Sequence, residues 1–278
     1  MAMAADHFQT KYDDPSITDI YAIGDLHGDL NAALICLRDC AKVIRKKEGF
    51  EFNSEEIDPD FVRLMELSAF DEAYVPALNY EWIGGNAHVV LIGDMLDRFR
   101  GGSSRSAIWY TTIGKEEGSI TPAYVPAMNN TGPRTGEHLH EEVKLILFIN
   151  ALAHQARAQE GRLIKLIGNH DWSNLRAAHN RTDARNVAAY ATPYALASPY
   201  PEGFERKTYF SRGNPGGDLL AEGGIGAVCI INHLIFVHAG ILPTHLEREL
   251  DPLQYLFKIN RDLNSYLRGE SEVLPPRL

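Results

Sequence analysis

Largely apolar runs in this chain each end directly before a glycine or a histidine, and polar side chains follow at once. Apolar runs of about four to eight residues are typical of strands buried on both faces of a sheet. The runs at 19–23, 89–92, 163–167 and 230–237 therefore predict four buried strands. Because ligands bind beyond the strand ends of an open α/β sheet, we expect the polar residues after these runs to meet.

Apolar residues at helical spacing predict helices between and after the strands. One helix covers residues 29–47, and its basic end at Arg45–Lys47 suits the negative pole of the helix dipole. A second runs from Gly136 to Glu160, and a third from Leu246 to Arg268. The alternation of strands and helices favours an α/β fold class.

The segments between these elements are polar or irregular. We expect residues 1–16 to form a flexible N-terminal arm and residues 17–278 to form one domain. Within that domain, residues 48–86 are interpreted as an insertion and residues 172–224 as a cap over the strand ends. Residues 100–136 are rich in Gly, Ser, Pro and Asn and predict a long loop that shapes substrate access.

Composition narrows the class of partner and the compartment. The net charge of -10 argues against nucleic acid or an anionic membrane as the main partner. Three cysteines are too few for a disulfide framework in 278 residues. The N-terminus has no basic region followed by an apolar core, and no apolar run could span a bilayer. We therefore expect a soluble, cytoplasmic protein.

The polar residues after the strands form a plausible metal-ligand set of carboxylates, imidazoles and an amide, which suits Mn, Fe or Zn better than Ca. Asp25 and His27 alternate across one residue and can point to the same side. If Asp94 bridges two ions, Asp25, His27 and Asp94 hold one. Asp94, Asn169 and His238 then hold the other. Two ions about 3.5–4 Å apart can hold a hydroxide that attacks a phosphoryl group in line.

Three further residues fit the remaining steps of phosphoester hydrolysis. His170 is placed to protonate the leaving oxygen, and Asp97 could orient His170 and favour its charged form. Arg98 offers a planar fork for phosphate oxygens, so Arg98, Asn169 and His170 are predicted to bind substrate. Taken singly, Asn169 could be a turn residue and Arg98 an ordinary salt-bridge partner. Their joint position after apolar strands favours the functional interpretation.

The four blocks that carry these residues resemble the calcineurin-like metallophosphoesterases, specifically the phosphoprotein-phosphatase branch. The blocks are GDLHG at 24–28, GDMLDR at 93–98, GNHD at 168–171 and VHAG at 237–240. The segments ILPTHL at 241–246 and INR at 259–261 look most like the Shewanella-like protein phosphatases. The resemblance covers about residues 18–270.

The resemblance implies a four-layer sandwich with central β-sheets flanked by helices, and a centre of two divalent ions. Mn and Fe are the implied metals, and Zn is an alternative. The implied activity is phosphomonoester hydrolysis on a phosphoprotein, with Ser/Thr or Tyr preference undecided. A nucleotide or dinucleoside-polyphosphate hydrolase and a non-catalytic phosphoprotein-binding protein stay open as alternatives, and a small phosphoester stays open as substrate. The metal-ligand role carries over to Asp25, His27, Asp94, Asn169 and His238. The acid role carries over to His170, the orienting role to Asp97 and the phosphate-binding role to Arg98.

Two departures from the family pattern accompany this resemblance. Asp171 stands where the branch usually has Glu. No histidine follows His245, whereas the family has a late histidine ligand and a second phosphate-binding arginine in the C-terminal part of the sheet. We therefore expect that part of the sheet to be missing, as in a truncated product or fragment, or another group to fill the ligand position.

Overall fold

The computed structural model describes residues 8–47, 80–97, 107–113, 120–126, 141–178, 205–243 and 251–272. The elements in chain order are β1 (Lys11–Tyr12), β2 (Ile20–Ile23), α1 (Leu30–Ile35) continued by a π-helical turn (Cys36–Cys40), β3 (Ile44–Lys46), β4 (Tyr80–Trp82), β5 (His88–Leu91), β6 (Ala107–Ile113), β7 (Ile120–Pro126), α2 (Glu141–Ala158), β8 (Arg162–Lys165), α3 (Asn169–Arg176), α4 (Arg206–Tyr209), α5 (Pro215–Ala221), β9 (Val228–Ile231), β10 (Leu234–Val237) and α6 (Pro252–Leu267).

The largest sheet has five strands in the order β7-β6-β2-β5-β8. Strands β2, β5 and β8 are parallel, and their last residues are aligned: Ile23 pairs with Leu91, and Leu91 pairs with Lys165. Strand β6 runs antiparallel to β2, and β7 antiparallel to β6. Since the three parallel strands end at the same level, the loops that follow them begin side by side.

One face of this sheet packs against a second sheet of three strands in the order β1-β9-β10. Ala22, Val90 and Ile164 point from the five-stranded sheet into one buried cluster with Cys229 and Ile231 of β9. Alternate side chains of a strand point to opposite faces, so this cluster fills the space between the two sheets. The centre of the molecule is therefore a β-sandwich.

Helices cover the outer face of each sheet. Ile23, Leu91 and Leu163 face a cluster that includes Leu37 of the π-helical turn and Leu152 of α2. On the other side, Val228 and Ile230 of β9 form a buried cluster with Leu256 of α6. The order of layers is helix, sheet, sheet, helix, and the predicted α/β fold class with sheets flanked by helices is confirmed.

The predicted helix over residues 29–47 is shorter in the structure. Asp29 caps α1 by accepting the N–H of Ala32 at 3.0 Å, and the helical conformation ends at Cys40. Arg45 and Lys46 then lie in β3, which pairs antiparallel with β4. The prediction that these cations end the helix is wrong. They pair with β4 instead, which lies far along the chain and outside the local pattern.

Two other predictions are wrong because the structure has antiparallel hairpins at those positions. The predicted strand at 230–237 is two antiparallel strands, β9 and β10, joined by a turn at Asn232, whose φ is 53°. The predicted loop at 100–136 contains β6 and β7, which pair along their whole length and extend the five-stranded sheet. The rest of that segment, at 100–106, 114–119 and 127–136, lies outside the described residues.

The predicted N-terminal arm is also partly ordered by pairing. Lys11 and Tyr12 form β1, parallel to β9, and Thr10 is buried, so the arm does not extend to these residues. Residues 1–7, 48–79 and 179–204 lie outside the described part of the chain, and the insertion and the cap stay predictions there. Among the helices that the structure describes, none is both long and apolar enough to cross a membrane.

Candidate metal centre

The loops after β2 and β5 are joined by backbone hydrogen bonds. The N–H groups of Leu26 and His27 donate to the carbonyl oxygen of Asp94 at 3.2 and 2.8 Å. Gly28 donates to the carbonyl of Met95 at 2.7 Å. These bonds hold the first predicted block against the second, so that Asp25, His27 and Asp94 are neighbours in space.

The segment after β8 is joined to the first two blocks through the carboxylates of Asp94 and Asp171. The N–H of His170 donates to Oδ1 of Asp94 at 2.9 Å. Asp171 is fully buried, and its two oxygens accept the N–H groups of Met95, Leu96 and Gly168 at 2.9 to 3.0 Å. The Asp at the position where the resembled branch usually has Glu thus ties the third block to the second.

Two glycines permit this close approach. A Cβ atom on Gly93 would lie 2.6 Å from the backbone nitrogen of Gly168 and 2.9 Å from Nδ1 of His238. A Cβ atom on Gly168 would overlap the backbone and the carboxylate of Asp94. The φ of Gly93 is 103°, which side-chain-bearing residues rarely adopt. Gly93 and Gly168 are therefore required by the geometry of the site.

His27 presents one ring nitrogen to two carboxylates. Its Nδ1 atom lies 3.0 Å from the carbonyl oxygen of Leu96, and because a carbonyl only accepts, Nδ1 carries the proton. Its Nε2 atom faces Oδ2 of Asp25 at 3.8 Å and Oδ2 of Asp94 at 3.9 Å. Backbone anchoring of the far ring nitrogen is the usual arrangement of a metal-binding histidine.

His238 repeats this arrangement from the second sheet. Its Nδ1 atom donates to the carbonyl of Ile92 at 2.8 Å. Its Nε2 atom lies 3.0 Å from Oδ1 of Asn169 and 3.5 Å from Oδ2 of Asp94. Nε2 and these oxygens are all acceptors in the neutral state, so their convergence favours a cation between them.

Two groups of side chains could each hold a metal ion, and Asp94 belongs to both. One group is His27, Asp94 and His170, and the other is Asp25, Asp94 and His238; within each, the ligand atoms lie within 4.8 Å of one another. Ligands of one ion with bonds of about 2.0–2.2 Å lie roughly 3–4 Å apart. The residue set thus fits a centre of two ions. The prediction from sequence placed Asp25 and His27 at the same ion, whereas in the structure they belong to different groups.

His170 is held by a second buried carboxylate. Its Nδ1 atom donates to Oδ2 of Asp97 at 2.9 Å. The Nδ2 atom of Asn174, one turn further along α3, donates to the same oxygen at 3.0 Å and to the carbonyl of His170 at 2.9 Å. The backbone N–H of Asp97 donates to Glu142 of α2 at 2.7 Å. The ring is therefore fixed with Nε2 towards Asp94, 4.0 Å away.

The electrostatic environment shifts the pKa of two of these residues. Burial lowers the pKa of His170, but the hydrogen bond to Asp97 and the Asp94 carboxylate raise it more, so the net pKa lies above 6.5. Burial raises the pKa of Asp171 to about 7, and Asp94 acts in the same direction, while its backbone donors lower it. The cluster thus favours a protonated His170 and places several acidic groups close together.

Backbone strain concentrates at the same loops. Of the six described non-glycine residues with positive φ, three are the candidate site residues His27, Asp94 and Asp97, with φ of 46°, 49° and 63°. Such conformations cost free energy and are found more often at functional sites. The clustering is an observation on the backbone that is independent of the side-chain chemistry.

Seven of the eight predicted site residues lie together in this cluster, and Arg98 lies outside the described residues. The cluster also contains Glu142 and Asn174, which the sequence did not single out. Asn174 carries a weak signal, because it stands four residues after His170 in a helix and so shares its face. Glu142 precedes an apolar helix face and carries no local signal.

Comparisons with known proteins were made for the whole chain. No family model matches it. An uncharacterized protein of Schizosaccharomyces pombe is 27% identical over 259 residues, which cover 92% of this chain and 52% of that protein. A point mutant of a cold-active protein tyrosine phosphatase has a similar structure, with a TM-score of 0.53, 19% identity, and coverage of 94% of this chain and 51% of that one.

A second structure of a cold-active protein tyrosine phosphatase gives a TM-score of 0.51 at 20% identity, over 94% of this chain and 50% of that one. The chain therefore spans about half the length of the proteins that it matches. At these identities the likeness shows that the chain shares the fold of the two solved structures and no more than that.

Proposed function

We propose that this chain hydrolyses phosphomonoesters with the help of two divalent metal ions, and that its substrates are phosphoproteins. The observation that supports this most strongly is the position of Asp94, a buried carboxylate that faces the Nε2 atoms of both His27 and His238. Since each ring has its Nδ1 atom on a backbone carbonyl, each directs a lone pair to this carboxylate.

The residues that would hold the ions are Asp25, His27, Asp94, Asn169 and His238. Carboxylate, imidazole and amide donors together suit Mn²⁺ and Fe, and Zn²⁺ is the alternative. Such ions would supply a nucleophile at neutral pH and positive charge opposite the phosphoryl oxygens. We propose two ions and not one because the buried Asp94 belongs to two separate groups of potential metal ligands.

The remaining residues handle the proton and the substrate. His170, held by Asp97, would donate a proton from Nε2 to the leaving oxygen, and its raised pKa favours the protonated ring that this role needs. His170 and the exposed Asn169 would contact the phosphoryl group. Arg98 follows Asp97 directly in sequence and would bind the phosphate oxygens.

Likeness to protein tyrosine phosphatases of the same fold favours a phosphoprotein over a nucleotide. The test is hydrolysis of p-nitrophenyl phosphate, a phosphotyrosine peptide, a phosphoserine peptide and ATP by the chain with Mn²⁺. We expect turnover of p-nitrophenyl phosphate and of a phosphopeptide, and little of ATP. Preference for ATP would support the nucleotide hydrolase. No turnover of any substrate would contradict catalysis by this polypeptide.

A further inference from the structure

A cavity of about 260 Å³ lies beside β8, which is the edge strand of the five-stranded sheet. Its walls come from the N-terminal segment around β1, the end of α2, β8 itself and the turn at Gly223–Gly224. Ten residues of the described part of the chain line it, and none of them is a candidate metal ligand, acid or phosphate-binding residue. The cavity is therefore separate from the site described above.

The charge of this cavity is opposite to that of the chain. Among the described residues that line it, three are basic, Arg157, Arg162 and Lys165, and none is acidic, although the chain has a net charge of -10. Both guanidinium groups act on the hydroxyl group of Tyr12, another lining residue. The two arginines thus lie beside the same small space.

The third cation stands in the wall of the cavity. Lys165 is 2% exposed, and its Nζ atom donates to Oδ1 of Asn150 at 2.7 Å and to the carbonyls of Leu220 and Glu222 at 2.9 and 2.6 Å. Burial lowers the pKa of Lys165 to about 7, the Glu222 carboxylate opposes this, and Arg157 lowers it further. All three N–H groups of this ammonium are used within the protein, so the two arginines are the cations that can contact an anion in the cavity.

We propose that this cavity is a second ligand site of the chain and that it binds a small phosphate-bearing anion. Arginine forks match the geometry of phosphate oxygens. The volume lies just below the range of about 300–1,000 Å³ typical of sites for drug-sized ligands, so a phosphate with a small body fits. Phe8 and Tyr12 provide an aromatic wall for that body. The proposal does not depend on the proposed hydrolysis.

The test uses inorganic phosphate as the probe and isothermal titration calorimetry as the measurement. EDTA is present throughout, so that the candidate metal centre holds no ion. We expect the wild-type chain and Arg45→Gln to bind phosphate equally, because Arg45 pairs with Glu81 on β3 and β4. Arg162→Gln and Arg157→Gln should each bind about tenfold more weakly or worse. Equal affinity in all four chains, or no binding by the wild type, would overturn the proposal.

Two further measurements locate the ion and check the fold. The melting temperatures of the arginine variants without phosphate identify a variant that has lost its structure, and the other variant then decides. Hydrogen–deuterium exchange should slow at residues 8–12 and 222–226 when phosphate is added. Slowing at residues 168–171, or loss of binding in Asp94→Asn, would place phosphate at the metal centre and would contradict a second site.

Discussion

The Nδ1 atom of His170 lies 2.9 Å from Oδ2 of Asp97, although the two residues are 73 positions apart. Asp97 stands in the loop after β5 and His170 in the first turn of α3, just after β8, and the aligned ends of these parallel strands bring the two segments together. Because Nδ1 is bonded to Asp97, the other ring nitrogen is directed to Asp94. One imidazole thus connects a buried carboxylate to the candidate metal centre.

His170→Asn should lower the turnover number for p-nitrophenyl phosphate by about 10²–10⁴-fold, the usual contribution of a general acid. The number of bound ions should stay the same, since the proposed ligand set does not include this side chain. Steady-state kinetics and metal analysis of the same sample check both points. Loss of an ion together with the activity would make His170 a ligand, as its closeness to His27 and Asp94 also permits.

Asn174→Ala should lower the turnover number by about tenfold, because the hydrogen bond that holds Asp97 is lost. The KM should change little, since Asn174 positions Asp97 and His170 and has no proposed contact with the substrate. Asn264→Ala is the matched control: Asn264 makes the same hydrogen bond to the carbonyl four residues earlier, but on α6. Equal effects of the two substitutions on turnover would mean that Asn174 acts only on stability.

Gly168→Ala should abolish metal binding, because the added methyl group would overlap Asp94 and push the second and third blocks apart. The loss of stability should be about 1–3 kcal/mol, as for other overpacked sites. Gly240→Ala, at the fourth block, adds the same methyl group where, apart from its chain neighbours, no described residue lies within 4 Å. Metal titration and chemical unfolding of both variants are the measurements, and similar metal affinities would contradict the account of Gly168.

Ellman's reagent at pH 8 should modify one thiol in the folded chain and three in denaturant. Cys40 is partly exposed, whereas Cys36 and Cys229 are buried. Burial raises the pKa of both buried thiols to about 12, so the reactive thiolate does not form. The Cys40→Ser variant should show no fast reaction. Rapid modification of all three thiols in the folded chain would contradict this packing.

Much of the centre of the fold could be predicted from the sequence, because it rests on short-range patterns. The runs at 19–23, 89–92 and 163–167 become β2, β5 and β8, with bounds that differ by one or two residues. Gly93 after β5 and Gly168 after β8 each mark a close approach of two backbone segments. For that reason the side chains that follow them, from Asp25 to His170, could be expected in one place before the structure was known.

The remaining features depend on contacts that local patterns do not encode. Strand β3 depends on pairing with β4, which follows the segment from 48 to 79. The Gly and Ser residues around β6 and β7 led to the prediction of a loop, although Ile108, Trp109 and Tyr110 have strong strand propensity. Glu142, which accepts the backbone N–H of Asp97, lies 45 positions later in the chain. Such partners are set by tertiary packing.

The most direct test of the account is the number of Mn²⁺ ions bound per chain, measured by mass spectrometry of metals after reconstitution. We expect two ions in the wild type and in Asp39→Asn, an exposed aspartate paired with Arg38. We expect loss of both ions, and of p-nitrophenyl phosphate hydrolysis, in Asp94→Asn. An Asp94→Asn chain that keeps two ions, or hydrolyses the ester at the wild-type rate, would contradict the central role of Asp94.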